Sequence, residues 1–316
     1  MSSVLAVPDA VAAASAGTEP EVVVVAVTYN SAAIVEPFLE SLPTALKGID
    51  SARVVVVDNA SDDGTPDLVR SLAPWAVVVD AGGNLGYGAG LNVALRQGVG
   101  ERGVLVLNPD AVLSAGAVRS LLDEVSGSHE IGVAVPRILD TSGNLKFSLR
   151  REPTLLRAVG EAVLGGHRAA RFPRLGDMIR DPAYYVHGAT ADWATGAAMF
   201  ISRRTFDAVG LWSEEFFLYS EETDYALRAR DAGYHLSYVP DAVAVHPGGE
   251  MSRSPWLWSV LAVNRTKLYR KRHGPIASAA YWCVVVLNEA VRAALGRPTH
   301  RAALVALLRG RIPRSA

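Results

Sequence analysis

The sequence contains almost no cysteine and no obvious N-terminal targeting signal. Cys283 is the one cysteine among 316 residues, so an internal disulfide is excluded and the composition fits a reducing compartment. Residues Met1 to Pro20 lack a basic region and are mostly Ala, Ser, Val, Gly and Pro. We therefore expect residues 1–20 to form a disordered leader rather than a signal peptide. Half of all residues are hydrophobic, so the rest of the chain can bury a sizeable core.

The sequence also lacks a proper dinucleotide-binding fingerprint. Residues 82–90 are rich in glycine, which lets a backbone approach a pyrophosphate at a helix N-terminus. However, this stretch follows the third predicted strand instead of opening the domain, and Gly86 to Gly90 do not have the G-x-G-x-x-G spacing. The pattern argues against a redox enzyme that uses a dinucleotide.

Apolar runs alternate with amphipathic segments through the first half of the chain. This alternation indicates βαβ units and a parallel sheet buried on both faces. The predicted strands are Val22–Val27, Arg53–Val57, Ala76–Val79 and Val104–Leu107. Beyond Val133–Val135, residues 140–190 are predicted to be loops with one helix at Leu155–Leu164. The later predicted elements are a strand within Trp193–Ile201, a helix at Glu221–Gly233, and short strands at Tyr234–Val239 and Ala242–Val245.

Polar residues follow each of the first four predicted strands. They are Thr28, Tyr29 and Asn30, then Asp58, then Asn84 to Gly86, and finally Asn108 to Asp110. Carboxyl ends of parallel strands share one edge of a sheet, where ligands bind in open α/β folds. There Asp58 could accept a hydrogen bond from a pyrimidine, Tyr29 could flank the base, and Asp110 could bind a divalent metal that carries a diphosphate. Each residue alone also fits an ordinary turn or helix cap.

Charge is distributed very unevenly along the chain. Residues 265–316 contain eleven Lys or Arg and one acid, Glu289, whereas residues 1–264 contain 20 bases and 31 acids. The tail is predicted to form two or three helices, including Trp256–Arg272 and an apolar segment, Ile276–Leu287, that is shorter than the ~20 residues needed to span a bilayer. That segment fits a packing helix or an interfacial one. No nucleic-acid-binding motif is present, so we expect the tail to contact a membrane surface and not nucleic acid.

Five ordered motifs resemble family 2 of the nucleotide-sugar glycosyltransferases, which have the GT-A fold. The motifs are Val27 to Ser31, Asp58 to Gly64, Gly83 to Gly88, Asn108 to Asp110, and the block from Phe216 to Asp224. The resemblance runs from about Val22 to Gly249. Within the family the chain looks most like bacterial rhamnosyltransferases of cell-wall and surface-polysaccharide assembly.

The resemblance implies roles for the strand-end residues. Thr28, Tyr29, Asn30 and Asp58 would hold the nucleobase and ribose, and Asn84, Gly86 and Asn108 would complete the nucleotide-sugar site. The family's acidic metal motif falls on Asn108 to Asp110, so Asp110 would bind Mg²⁺ or Mn²⁺. His246, at the end of a later strand, matches a histidine that often completes the metal and diphosphate site.

The resemblance also implies an acceptor side and a catalytic base. Trp193, Thr195 and Gly196 match the acceptor segment. The base normally lies in a Glu-Asp pair, but this chain has Glu221 and Glu222, so the usual Asp is replaced by Glu222. The candidates are Glu222, Glu221 and Asp224. Asp224 has an i,i+4 partner in Arg228, whereas Glu222 shares its face with Ala226 and Ala229, which favours Glu222.

Together these patterns predict an α/β protein with a mostly parallel, helix-flanked sheet. Residues 21–136 would form the nucleotide-sugar half, residues 137–250 a smaller acceptor half, and residues 251–316 a basic, membrane-associated tail. The expected activity is inverting, metal-dependent transfer of a sugar, L-rhamnose from dTDP-rhamnose, to a lipid-linked or polysaccharide acceptor at the cytoplasmic face of the plasma membrane. Alternatives are galactofuranosyl, glucosyl or mannosyl transfer, or a non-catalytic membrane-bound scaffold.

Overall fold

A computed structural model describes residues 4–14, 18–248 and 253–311. The strands are β1 (Val22–Thr28), β2 (Ala52–Asp58), β3 (Val77–Asp80), β4 (Gly103–Leu107), β5 (Val112–Leu113), β6 (Ile131–Leu139), β7 (Leu149–Arg150), β8 (Thr190–Ala191), β9 (Trp193–Ala194), β10 (Ala198–Ser202) and β11 (His235–Val245). The α-helices are α1 (Asp9–Ala13), α2 (Val35–Ala45), α3 (Thr65–Leu72), α4 (Tyr87–Leu95), α5 (Ala117–Gly127), α6 (Leu155–Leu164), α7 (Gly166–Ala169), α8 (Arg203–Val209), α9 (Glu221–Asp231), α10 (Pro255–Arg272), α11 (Pro275–Ala294) and α12 (Pro298–Arg309).

The first half of the chain forms the parallel sheet that its apolar runs predict. Strands lie in the order β3-β2-β1-β4, and every pairing among them is parallel. All seven residues of β1 are buried, as expected for a β-branched run covered on both faces. Thr28 pairs with Asp58, and Asp58 with Asp80, so the polar residues after these strands reach one edge of the sheet.

The second half extends the same sheet with mixed pairing. Strand β10 lies antiparallel between β4 and β6, and β6 runs parallel to β11. The two short strands predicted at residues 234–245 are one strand, because β11 continues past Pro240 through a shift of register between Val239 and Val243. This shift lets β11 reach the same edge as β4.

Part of the expected leader is ordered. Residues 9–13 form helix α1, whose Ala10 is buried in the main core, and the amide of Leu5 donates to the Leu72 carbonyl at 2.8 Å. The prediction of disorder is therefore corrected within residues 4–14. Small residues without strong periodicity gave no sequence signal for this packing, which depends on the surface offered by β2 and α3.

The tail consists of three helices packed together. Helix α11 is 20 residues long, instead of the predicted twelve, and is the one described helix long and apolar enough to cross a membrane by length and composition. It continues past Asn288 because Glu289 turns inward. There Glu289 accepts hydrogen bonds from Trp258 Nε1 at 2.9 Å and lies 2.7 Å from His300 Nδ1.

Helix α10 is bound to the body through its basic residues. Arg265 lies 3.2 Å from Glu161, Lys271 2.9 Å from Asp224, and Arg272 2.8 Å from Asp231. The expectation that the tail's charge is directed at an anionic surface is thus corrected for these three cations, which neutralise acids of the body. The predicted boundary at residues 250 and 251, like Gly249, lies outside the described residues.

Candidate active site

The loops after β1 and β2 are tied to each other by side chains. Thr28 Oγ1 donates to Asp58 Oδ1 at 2.9 Å, and Ser61 donates to the same carboxylate through both its amide and its hydroxyl, at 2.8 and 2.6 Å. Asn30 has a left-handed backbone, with φ of 49°, and its side chain accepts from the amide of Asp62 at 3.0 Å. These bonds shape the edge where Tyr29 stands with its ring half exposed.

The glycine-rich loop after β3 contacts the acidic block of the second half. Asn84 Oδ1 accepts from the Gly86 amide at 3.2 Å, so the exposed Asn84 shapes its own turn. Gly86 has φ of 86°, and a Cβ atom there would overlap the carbonyl oxygen of Phe217. The same oxygen accepts a hydrogen bond from the amide of Tyr87, the residue after Gly86, at 2.8 Å. Gly86 is thus required by its backbone angle and by this close approach.

The predicted metal residues come together at the ends of β4 and β11. His246 Nε2 lies 3.2 Å from Asp110 Oδ1 and 3.4 Å from Asn108 Nδ2, although 136 residues separate Asp110 from His246 in the sequence. Two ligands at right angles on a Mg²⁺ or Mn²⁺ ion, with bonds of about 2.1 Å, lie about 3.0 Å apart. The Asp110–His246 pair fits that spacing. The described residues contain no group of three or more His, Cys, Asp or Glu that could hold an ion, so substrate oxygens would have to complete the coordination.

Lys146 joins this cluster from a loop that the sequence did not single out. Its ammonium donates to the carbonyls of His246 at 3.1 Å and Pro247 at 2.8 Å, and it packs so closely on Gly248 that a Cβ atom there would collide with it. Partial burial lowers the pKa of Lys146, while Asp110 and Asp140 oppose that shift. The cluster therefore contains a fixed positive charge beside Asp110.

Two carboxylates and a phenol lie together at the start of α9. Glu221 is buried and Glu222 half buried. Their Oε2 atoms and the Tyr87 hydroxyl are inaccessible to solvent and have no hydrogen-bond partner. Burial raises the pKa of Tyr87 well above its ordinary value, and negative charge on Glu221, Glu222 and Asp110 raises it further. Because buried polar groups are nearly always bonded, these three unpartnered atoms are candidates for contact with substrate or water.

Asp224, the third candidate acid, is paired with two cations. It is 1% exposed, accepts from Arg228 Nε at 2.7 Å, and lies 2.9 Å from Lys271 Nζ. The predicted i,i+4 pair with Arg228 is confirmed. Asp224 therefore joins α9 to α10, and Glu221 and Glu222 remain as the candidate acids with no cation in contact among the described residues.

The two remaining acids have different surroundings. Burial raises the pKa of Glu221 well above its usual range, and repulsion from Glu222 raises it further. Burial also raises the pKa of Glu222, but its own first-turn backbone amides and the positive charge of Arg150 oppose the shift. Burial therefore raises the pKa of both acids, and the positive charge of Arg150 favours the ionised form of Glu222.

Glu221→Gln is expected to raise the melting temperature by a few degrees near pH 8. The pKa of Glu221 is higher in the folded protein than its ordinary value of 4.5. As pH rises above 4.5, the unfolded chain loses this proton more readily than the folded chain does, so Glu221 lowers the free energy of unfolding. A neutral glutamine removes that cost. Calorimetry at pH 5 and pH 8 checks it: the gain should shrink at pH 5, and an equal gain at both values would contradict the assignment.

The predicted acceptor segment lies against the same helix. Gly196 packs on Glu222, since a Cβ atom at Gly196 would lie 3.2 Å from Glu222 Cβ. Thr195 donates its amide to the Ser148 carbonyl at 3.0 Å. Trp193 is half buried, donates Nε1 to the Arg151 carbonyl at 3.0 Å, and has the Arg150 guanidinium 5.7 Å from its ring centroid.

A cavity of about 450 Å³ lies farther along α9, away from the strand ends. Ala226 and Ala229, the small residues that follow Glu222 on its helix face, line it together with Thr190 to Asp192. Val133 and Leu236, near the amino ends of β6 and β11, also line the cavity. The cavity therefore adjoins the acceptor segment and is separate from the Asp110–His246 cluster.

Sequence reasoning missed Lys146, Tyr87 and Arg150 as site residues. Tyr87 lies within a motif that was recognised, so its position after the glycine-rich loop was an available signal. Lys146 and Arg150 lie in an irregular region whose path over the sheet edge no periodicity reveals.

Residues 23–183 match the family described as "Glycosyl transferase family 2". An N-acetylglucosaminyl-diphospho-decaprenol L-rhamnosyltransferase of Mycobacterium tuberculosis (strain ATCC 25618 / H37Rv) is 33% identical over 235 residues, which cover 71% of this chain and 75% of that protein. Rhamnosyltransferase WbbL of Escherichia coli (strain K12) is 23% identical over 229 residues, covering 69% and 82%.

A solved structure supports the same fold. The mannosyltransferase PcManGT from Pyrobaculum calidifontis, in complex with GDP-Man and Mn²⁺, superposes with a TM-score of 0.54 at 22% identity, covering 93% of this chain and 76% of that one. This agreement confirms the predicted GT-A fold. From the family match and the related transferase, the chain belongs to glycosyltransferase family 2 and is a glycosyltransferase.

Proposed function

We propose that this glycosyltransferase moves L-rhamnose from dTDP-rhamnose to a hydroxyl of a lipid-linked glycan, with inversion at the anomeric carbon. The observation that carries this proposal is the group of three buried, unpartnered polar atoms on Glu221, Glu222 and Tyr87, beside the Asp110–His246 cluster. The choice of rhamnose is supported by the relative that is 33% identical and is named as a rhamnosyltransferase with a decaprenol-linked acceptor.

The donor would lie along the sheet edge. Tyr29, Asn30, Asp58 and Thr28 would contact the nucleoside, next to the turn formed by Asn84 and Gly86. Asp110 and His246, beside Asn108, would hold a Mg²⁺ or Mn²⁺ ion, which when bound supplies positive charge to the leaving diphosphate. Lys146 adds a protein-borne positive charge at the same place.

Glu222 would act as the general base in a single displacement. Its carboxylate accepts the proton of the acceptor hydroxyl, the hydroxyl oxygen attacks the anomeric carbon, and the nucleoside diphosphate leaves from the opposite face. Glu221 keeps its proton, which limits the negative charge near Glu222, and Tyr87 can donate a hydrogen bond because its phenol stays protonated. Gly196, in the predicted acceptor segment, packs directly on Glu222, so the acceptor would approach the base beside this contact.

Arg150→Met is expected to move the acidic limb of the kcat/KM profile to higher pH. The profile should rise as Glu222 loses its proton, and Arg150 favours the ionised form. Removing the cation raises the pKa of Glu222, so more alkaline conditions are needed for half-maximal rate. Initial rates between pH 5 and 9 measure the shift; an unmoved or more acidic limb would count against Glu222 as the titrating base.

Donor screening tests the proposal most directly. Purified protein, Mg²⁺ or Mn²⁺ and a panel of nucleotide sugars would be followed by release of nucleoside diphosphate in the presence of polyprenyl-diphosphate-linked acceptors. Turnover with dTDP-rhamnose is expected. Turnover only with a galactofuranosyl, glucosyl or mannosyl donor would replace the rhamnose assignment, and absence of turnover with every donor would favour a non-catalytic scaffold.

The enzyme would act at the cytoplasmic face of the plasma membrane as a peripheral protein. Helix α11 and Leu295, the residue after its end, expose apolar side chains at Ile276, Leu287, Val291 and Leu295, spaced so that they share one face. Helix α6, which packs on α11 through the Arg292–Glu161 contact of 3.3 Å, exposes Leu156, Val159 and Val163. Exposed arginines at positions 168, 171, 174 and 297 lie on the segments that follow these helices.

Replacing Leu287, Val291 and Leu295 together by serine is expected to abolish flotation with anionic liposomes. Burying three such side chains in lipid contributes several kcal/mol, which exceeds what scattered arginines provide. Val77→Ser is a matched control, because Val77 is similarly exposed but lies on the edge strand β3. Flotation of the triple variant equal to wild type would overturn this surface, and binding to RNA without binding to liposomes would favour a nucleic-acid role for the basic residues.

A further inference from the structure

The turn before α9 has a backbone that side chains other than glycine rarely adopt. Tyr219 and Ser220 both have positive φ angles, 65° and 77°. Consecutive residues in this region persist only where the surroundings hold them, and such strain is concentrated at active sites. The turn leads directly into Glu221 and Glu222, so its geometry fixes where both carboxylates lie.

The surroundings hold this turn from two sides. From the sheet edge, the Tyr87 amide donates to the Phe217 carbonyl at 2.8 Å. From the tail, Asn264 of α10 donates Nδ2 to the Leu218 carbonyl at 2.8 Å and to the Tyr219 carbonyl at 3.3 Å. Asn264 is 1% exposed, so its amide is shielded from water and its two bonds are directed into the turn. These bonds orient three consecutive carbonyls, those of Phe217, Leu218 and Tyr219. The first hydrogen bond of α9 follows them, from the Asp224 amide to the Ser220 carbonyl at 2.8 Å.

We propose that Asn264 is a positioning residue for glycosyl transfer: it holds the Leu218–Ser220 turn in its left-handed form and so keeps the Glu222 carboxylate within reach of the acceptor hydroxyl. This inference rests on the proposed role of Glu222 as base. Without the two bonds, the turn relaxes toward negative φ and the first turn of α9 rotates with it. A displacement of about 1 Å at a catalytic group is enough to lower a rate by about 100-fold.

The test compares variants of two buried polar residues on the same helix. Asn264→Asp keeps the side-chain shape but replaces the amide, which donates to two carbonyls, with a carboxyl that donates at most one hydrogen bond, and Asn264→Ala removes the group. Ser259→Ala is the control, because Ser259 is fully buried and donates to the Pro255 carbonyl of its own helix at 2.7 Å. We expect both Asn264 variants to lower kcat by about 10- to 100-fold with little change in the KM for donor, and Ser259→Ala to leave kcat near wild type.

Glycine at the strained position provides a second test. Ser220→Gly accepts a positive φ without cost, so Asn264→Asp should lower kcat by a smaller factor in that background than in the wild type. Equal factors in the two backgrounds would show that Asn264 does not act through the turn.

A structural readout separates this inference from the proposed function. Amide hydrogen exchange in residues 221–225 should be faster in Asn264→Asp than in Ser259→Ala, whichever sugar is transferred and whichever acid is the base. Retained turnover in Glu222→Gln would overturn the assignment of Glu222 as base. The hydrogen-exchange result would then still show whether Asn264 holds the Leu218–Ser220 turn. An Asn264→Asp protein that melts at lower temperature but keeps wild-type kcat and exchange would overturn the positioning role. If Asn264→Ala does not fold, Asn264→Asp decides alone.

Discussion

Glu222→Gln is expected to lower kcat by about 10²- to 10⁴-fold, the usual contribution of a positioned general base. Glutamine keeps the size of the side chain and its place beside Gly196 but cannot take a proton from the acceptor. Binding of donor should be nearly unchanged, because Glu222 packs on Gly196 of the predicted acceptor segment. Steady-state rates with saturating donor and acceptor, and donor affinity by calorimetry, measure the two effects separately.

Three variants decide among the acids that the sequence left open. Glu222→Asp restores the residue that the family normally carries and should keep substantial activity. Glu221→Gln should keep the rate within about tenfold, since its buried carboxyl holds a proton while Glu222 reacts. Asp224→Asn should lower the melting temperature by removing the partner of Arg228 and Lys271, with kcat of the folded protein retained. A loss of kcat in Glu221→Gln equal to that in Glu222→Gln would mean that the base assignment is wrong.

Asp110→Asn is expected to lower kcat/KM by about 10²- to 10³-fold, because charge neutralisation of a leaving diphosphate contributes several kcal/mol. Asparagine has nearly the same shape as aspartate and can still contact His246, but it lacks the charge that a divalent ion requires. The variant should also lose the dependence of nucleoside diphosphate binding on added Mg²⁺ or Mn²⁺, which calorimetry measures without turnover.

Asp80→Asn is the matched control for Asp110. Asp80 is an exposed carboxylate at the end of β3, on the same edge of the sheet, and it accepts from the Gly82 amide at 2.8 Å. Its loss of charge should leave metal-dependent binding intact. Full metal-dependent turnover by a folded Asp110→Asn protein would remove the metal assignment, and with it the role inferred for His246.

Several features followed from the sequence alone because they depend on local patterns. Continuous β-branched runs specify strands buried on both faces, and their alternation with helical periodicity specifies a parallel sheet. The direction of a parallel sheet then places Thr28, Asp58 and Asp110 at one edge. The motif around Glu221 and Glu222 was recognised for the same reason, since its residues are neighbours in the chain.

Other features depend on contacts between distant segments. The proximity of Asp110 to His246 follows from the antiparallel pairing of β11 with β5, in which Val245 lies opposite Val112. It also requires β11 to continue past Pro240, where the sequence pattern predicts a break between two strands. Lys146 reaches the same cluster from a loop with no periodic signal. The pairing of the tail's cations with acids of the body, such as Asp224 and Glu161, also depends on the fold, because each pair joins segments that are distant in the sequence.

The sequence by itself determined the family, the parallel half of the sheet and the choice of acids, because local order of residues and strand direction are enough to fix them. The tertiary structure decided the surroundings of each acid. Asp224 is paired with Arg228 and Lys271, burial raises the pKa of Glu221, and Glu222 packs on Gly196 while the positive charge of Arg150 favours its ionised form. Burial and charge around a side chain are sums over segments far apart in the chain, so only the folded molecule specifies them.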